Sequence, residues 1–176
     1  MTKQSRTSYL TLSALALAVA AAAGSASAAV ATATSTSTVV TPITISKNAD
    51  LSFGSFAPGA TTGTVTVSPN GTRAVSGGVV ALGSGATAAQ FAVSGQDGST
   101  YSITLGGSTS LTSGSDTMTF TSISDLTASA ATSGNVSGGT LTGGTQTIYV
   151  GGVLDVAANQ PSGTYTGTVT ATVEYN

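Results

Sequence analysis

Cysteine, histidine and tryptophan are absent from all 176 residues. Without cysteine, no disulfide can cross-link the fold and no thiolate can act as nucleophile or metal ligand. Without histidine, the commonest general base and the commonest transition-metal ligand are missing. Charge is also scarce: Asp, Glu, Lys and Arg make up 6% of the chain, against about 25% in an average protein. Beyond residue 28 the basic residues are Lys47 and Arg73, set against Asp50, Asp97, Asp116, Asp125, Asp155 and Glu174, so that stretch carries a net charge of −4. With no basic cluster, nucleic acid and anionic lipid are not expected partners. So little charge gives weak protection against self-association, a composition suited to a subunit of a polymer or coat.

The remaining polar residues do not assemble into a reaction centre. Serine and threonine are plentiful, but a serine nucleophile needs a base. The one lysine past residue 28, Lys47, sits beside Asn48 and Asp50 in a segment that reads as a turn. Asp116 and Asp125 could supply paired carboxylates, yet both lie in polar contexts where a solvated aspartate is the usual state. Asp97, Asp116 and Asp155 lack the alternating Asx spacing of a calcium loop. The expectation is no catalytic set, no cofactor, no metal, and no enzyme.

The chain divides into three parts by pattern. Lys3 and Arg6, an apolar run from Leu10 to Ala23 and the Ala26-Ser27-Ala28 triplet read as a secretory signal over residues 1–28. No later apolar run approaches the roughly 20 residues needed to span a bilayer, so no membrane span is expected once the signal is removed. Residues 29–41 follow, rich in β-branched side chains and free of charge and turn residues, an extended N-terminal arm suited to strand addition. Residues 42–176 form the body.

The body reads as all-β, with no stretch of helical period. Expected strands include Leu51 to Phe56, ended by Pro58-Gly59, and Gly63 to Val67, ended by Pro69-Asn70-Gly71. Arg73 to Leu82 reads as a strand with a bend at Gly77-Gly78. Phe91 to Ser94 and Tyr101 to Leu105, separated by Gly95-Gln96-Asp97-Gly98, read as a hairpin. Met118 to Ile123 follows, then a long strand from Thr145 to Val156 with a glycine pair in its middle. Seven to nine short strands with turn signals between them point to one antiparallel β-sandwich, immunoglobulin-like and open to completion by a donor strand. The last fourteen residues alternate strictly: Tyr165, Gly167, Val169, Ala171, Val173 and Tyr175 on one face, threonines and Glu174 on the other.

This ending, with Tyr175 penultimate and Gly163 fourteenth from the end, resembles that of chaperone-usher pilus subunits. The Leu51-Ser52-Phe53-Gly54 element is similar to the Leu-x-Phe-Gly element of spore-coat-U-like and archaic or alternative pilin domains. The likeness extends over about residues 43–176, to an uncharacterised secreted bacterial domain family associated with them. It implies a fimbrial or surface-coat subunit that polymerises by donor-strand complementation, served by a periplasmic chaperone and an outer-membrane usher, and passing through the periplasm to an extracellular fibre. Gly163, Tyr165, Gly167, Val169, Ala171, Val173 and Tyr175 would then form the assembly strand, and Val30, Thr32, Thr34, Thr36, Thr38 and Val40 the groove-entering face of the arm. The chain lacks the cysteines of many such domains and its arm is poor in large hydrophobics. The alternative is therefore a self-complete secreted sandwich, an adhesin or carbohydrate-binding module that does not polymerise.

Overall fold

The computed structural model describes residues 27–176; the expected signal at residues 1–28 lies outside them except for Ser27 and Ala28. Two units are distinguished, divided after Thr38. In the first, residues 27–38 have no regular structure and every one is exposed. The second, Val39–Asn176, is all-β, and no helix occurs among the described residues.

Ten strands build the body: β1 (Thr44–Ala49), β2 (Ser52–Val67), β3 (Arg73–Thr87), β4 (Ala89–Ser94), β5 (Thr100–Gly107), β6 (Ser110–Ser113), β7 (Asp116–Asp125), β8 (Gly138–Thr140), β9 (Thr145–Val156) and β10 (Val169–Tyr175). All pairings are antiparallel. They form a seven-stranded sheet organised around β9 and a three-stranded sheet in the order β10-β5-β8, which together make a sandwich. Tyr149 and Val150 of β9 pair with both β4 and β7, and Gly152 to Leu154 with both β2 and β7. A strand has only two edges, so β7 takes one edge of β9, while β4 and then β2 share the other. The switch falls at the Gly151-Gly152 pair.

Inward side chains gather in two clusters. The first contains Phe53, Val65, Val67, Val79, Met118, Phe120, Leu154 and Val156; the second contains Phe91, Val93, Tyr101, Ile103, Leu141, Ile148 and Val150. In the first, Phe53 and Phe120 meet edge to face, with centroids 6.0 Å apart and planes at 81°, the arrangement favoured by the ring quadrupole.

The β2–β3 hairpin is folded over on itself. Arg73 pairs with Val67 near the turn, yet its guanidinium donates to the carbonyls of Phe53 (3.1 Å), Ser55 (3.0 Å) and Gly83 (2.6 Å) at the far end. From Val67 to Ser55 a straight strand would cover about 40 Å at about 3.3 Å per residue, beyond the reach of any side chain. The bend falls where the register breaks between Pro58 and Gly63, so that Gly59 to Thr62 face only Gly78. There Gly77 adopts φ 64°, and a Cβ on Gly77 or Gly78 would run into the carbonyl of Thr62 or Thr61. The expected bend at the glycine pair is present. Pro58-Gly59, by contrast, does not end the strand: proline lacks an N–H to donate, and β2 accommodates it at the irregularity.

Two other expectations are corrected. Lys47-Asn48-Ala49 is not a turn but the end of β1, bulged between Lys47 and Ala49 against β4; Lys47 reaches forward to Asp50 at 2.6 Å, an exposed pair of little energetic weight. Nor do β4 and β5 form a hairpin. β4 pairs with β1 and β9, β5 with β10 and β8, so the connection crosses between sheets. Phe91 and Val93 then meet Tyr101 and Ile103 across the core. The crossing is held by Asp97, whose Oδ1 accepts from the amides of Gly143 (2.8 Å) and Gly144 (3.3 Å).

Candidate functional site

Of the final segment, only Val169–Tyr175 is a strand, not the fourteen residues expected. Upstream, Thr166 makes one isolated bridge, exchanging both backbone bonds with Thr112 of β6 (2.9 and 3.0 Å). Ser108 then takes hold of Thr168, its amide donating to the Thr168 carbonyl at 2.8 Å. The chain thus crosses from β6 to β5 before β10 begins. Alternation survives the crossing: Tyr165, Val169, Ala171, Val173 and Tyr175 are half-buried, and the residues between them are exposed. Tyr165 packs on the first cluster, Ala171, Val173 and Tyr175 on the second, and Val169 on both. Gly163 and Gly167 are exposed, beside Ser113 and Leu111 respectively.

None of these inward residues is fully covered, and among the described residues β10 has a ladder partner on one edge only. Its pairing is with β5; the other edge has no ladder partner among the described residues. The same holds for β1, which pairs with β4 alone, and for the first half of β2, where Phe53 to Pro58 pair with β3 alone. Ile43 and Ile45 are half-buried against the same second cluster as β10.

The first half of β2, the end of β1 and the segment leading into β10 border a groove of about 1040 Å3. One lip runs from Lys47 through Ala49 to Pro58, the other from Gln160 to Val169, and the floor is Phe91, Met118, Phe120 and Leu154. The second lip is fixed by its own hydrogen bonds. Gln160 is buried; its Nε2 donates to the Thr117 carbonyl (3.2 Å) and to the Tyr165 hydroxyl (2.9 Å), and that hydroxyl donates to the Pro161 carbonyl (2.8 Å). The first lip is held by Arg73 through Phe53 and Ser55.

Beyond Val169, the groove's last lining residue on this side, β1 and β10 run together to a closed end at Tyr175. The Tyr175 hydroxyl accepts from the Gln96 amide (2.6 Å) and donates to the Thr41 carbonyl (2.7 Å), while the Thr41 amide donates to Gln96 Oε1 (3.4 Å). The root of β1 therefore lies against the end of β10, and the end of β1 opens into the groove near the start of β10. The two strands run in opposite senses.

Of the arm residues, Val30, Thr32, Thr34, Thr36, Thr38 and Val40 have no regular structure and are exposed, Val30 at 85%. Asp116 and Asp125 stand at opposite ends of β7, about 30 Å apart for an extended strand. Asp125 instead organises the following turn, accepting from Thr127 and Ser129. Sequence reasoning missed Gln160, Leu111 and the Phe53–Pro58 lip. A single glutamine, leucine or proline carries no signal of its own; position in the fold makes each one part of the groove.

The model for the domain of unknown function DUF4402 matches residues 43–175, from the first inward isoleucine to the clasping tyrosine. The chain belongs to this family of uncharacterised domains. No curated protein and no solved structure matches the chain.

Proposed function

We propose that the chain is a structural subunit of a bacterial fimbria or surface coat and polymerises by donor-strand complementation. The groove is the observation that carries this reading: about 1040 Å3 between the Phe53–Pro58 edge of β2, which pairs with β3 alone, and the segment Gln160–Val169 leading into β10, over a floor of Phe91, Met118, Phe120 and Leu154. Unpaired edges over apolar surface are an aggregation hazard that sheet proteins ordinarily cover. One added strand removes it, because main-chain bonds to both lips supply affinity and alternate side chains fill the floor.

The occupant would be the arm at residues 29–41 of a second copy, which is exposed, uncharged and without structure of its own. Thirteen extended residues reach about 43 Å, and the ten-residue lip Ala49–Pro58 about 33 Å, so the arm is long enough. Val30, Thr32, Thr34, Thr36, Thr38 and Val40 would face inward. In transit a periplasmic chaperone would occupy the same groove, with an outer-membrane usher exporting the chain to an extracellular fibre or coat. Scarce charge fits a chain that functions in a polymer.

Surface material from cells expressing the full chain, run on denaturing gels with and without boiling, tests the reading. A ladder that collapses only on boiling is expected, and with no cysteine it could not be a disulfide product. A Thr36→Asp variant should lose the ladder, because a carboxylate carried into the apolar floor has no partner, while the body melts as before. A single band in both lanes, from soluble monomer, would overturn the reading in favour of a non-polymerising binding module.

A further inference from the structure

The groove raises a question of choice, since each copy carries an arm and a groove. We infer that the Thr41–Gln96–Tyr175 clasp is a specificity device that bars a subunit's own arm from its groove and so directs the arm to a second copy; this rests on the strand-exchange reading above.

Neighbouring strands in a sheet lie about 4.8 Å apart, so a strand lodged between β1 and β10 needs them separated by about 9.6 Å. In places their Cα atoms approach within 8 Å, and at the closed end a single hydroxyl spans the gap. No strand fits there. The groove opens only from Lys47 on one lip and up to Val169 on the other.

The arm is rooted at that closed end, since Thr41 is both its last residue and a member of the clasp. Both backbone polar groups of Thr41 are engaged, the amide by Gln96 and the carbonyl by Tyr175. The next residue, Pro42, has no N–H to donate. An arm turned back outside the clasp would have to follow β1 from Thr41 to Lys47, six residues or about 20 Å, before reaching the open groove. Seven of its thirteen residues would remain for the twelve-residue lip Lys47–Pro58. Only by passing between Thr41 and Tyr175 could it fill its own groove, and the clasp closes that passage. A second copy's arm meets no such obstacle at the open end.

The seat of the clasp is specific. A Cβ on Gly95 would strike the Tyr175 hydroxyl, so the ring packs against a position that only glycine leaves open. The neighbouring Gln96 contributes both a backbone donor and a side-chain acceptor.

Three full-length variants test the inference on unboiled denaturing gels and by thermal melting of the soluble fraction: Tyr175→Phe, Gln96→Ala, and Tyr175→Phe combined with Thr36→Asp. Tyr175→Phe keeps the ring and loses both hydroxyl bonds; the ladder should fall about tenfold relative to monomer. That monomer should melt higher than the double variant, because only an unblocked apolar arm can fill its own groove. Gln96→Ala, which leaves Tyr175 intact and frees the Thr41 amide, should shift the ratio in the same direction by less. A Tyr175→Phe ladder equal to wild type, or a Tyr175→Phe monomer no more stable than the double variant, overturns the inference. Loss of the ladder in wild type itself would instead overturn the parent reading, and the inference with it.

Discussion

Replacing Arg73 with alanine should destabilise the body more than any other single loss of charge, although Arg73 makes no ion pair among the described residues. Its guanidinium donates to the carbonyls of Phe53 (3.1 Å), Ser55 (3.0 Å) and Gly83 (2.6 Å), with Leu82 at the limit of bonding distance (3.5 Å). These carbonyls belong to strand positions far from Arg73 in the ladder, so the bonds hold the folded-over hairpin closed. A hydrogen bond from a charged donor contributes about 1.5–3 kcal/mol when buried. Arg73 is half-buried, and water competes for it, so three such bonds together should contribute about 2–4 kcal/mol. For a domain of this size each kcal/mol moves the midpoint by about 3–5 °C, which gives a fall of about 6–20 °C. Arg73→Lys keeps the charge but not the planar fork that reaches several carbonyls at once, and should recover less than half of the loss. Urea and thermal denaturation of the soluble subunit would measure both variants. A change within about 0.5 kcal/mol for Arg73→Ala, the range of an ordinary surface substitution, would refute the reasoning, as would an Arg73→Lys variant indistinguishable from wild type. The same variant bears on the groove, because Phe53 and Ser55 lie on its lip.

Two further substitutions have defined signs. Tyr101 is fully buried, and its hydroxyl finds no hydrogen-bond partner among the described residues; burial also raises its pKa. Tyr101→Phe removes an uncompensated polar atom at constant shape and should stabilise the body by about 1 kcal/mol, read as a higher urea midpoint at unchanged slope; a destabilised variant would show that the hydroxyl is satisfied. Asp125 has its pKa lowered below the usual aspartate value, first by the Ser129 hydroxyl and then by the Thr127 amide. A carboxyl with a depressed folded pKa contributes stability that is present above the unfolded value, about 3.9, and is lost as pH falls through the folded value. Melting temperature in wild type should therefore decline below about pH 4 more steeply than in Asp125→Asn, and parallel curves for the two proteins would refute the assignment.

Inward and outward faces were legible from alternation alone. Every residue placed inward on β10 is half-buried and every one placed outward is exposed, because a period of two is imposed by the pleat and survives any partner. Partners are another matter. Phe91 to Ser94 and Tyr101 to Leu105 alternate identically whether they lie side by side in one sheet or face each other across the core. The choice shows in the ladders, β4 with β1 and β9 and β5 with β10 and β8, and in Asp97, which ties the connection to Gly143 and Gly144, residues more than forty positions away. The same blindness hid the hairpin fold. Gly77-Gly78 announced a bend, but its extent shows only in Arg73 reaching Phe53 and Ser55, and a lone arginine in an uncharged strand gives no sign of what it will bind.

The groove is less legible still, since it is defined by a pairing that does not occur. Sequence shows that the final strand is apolar on one face, and apolar faces are common to complete and incomplete sheets alike. What separates the two is the fate of the other backbone edge. Among the described residues that edge has no ladder partner for β10, β1 and the first half of β2, and the groove is bordered by the first half of β2, the end of β1 and, at Val169, the start of β10. Were the sandwich complete in itself, unpartnered edges would be expected at opposite margins of the sheets, each guarded by charge, proline or a covering loop. Here the charged residues of these edges are Lys47, which is paired with Asp50, and Glu174, on the outward face of β10. The unpaired first half of β2 beside this floor is the feature on which the proposed strand exchange rests, and Lys47, Pro58 and the bulge at the end of β1 are the devices that would guard that margin in an isolated subunit.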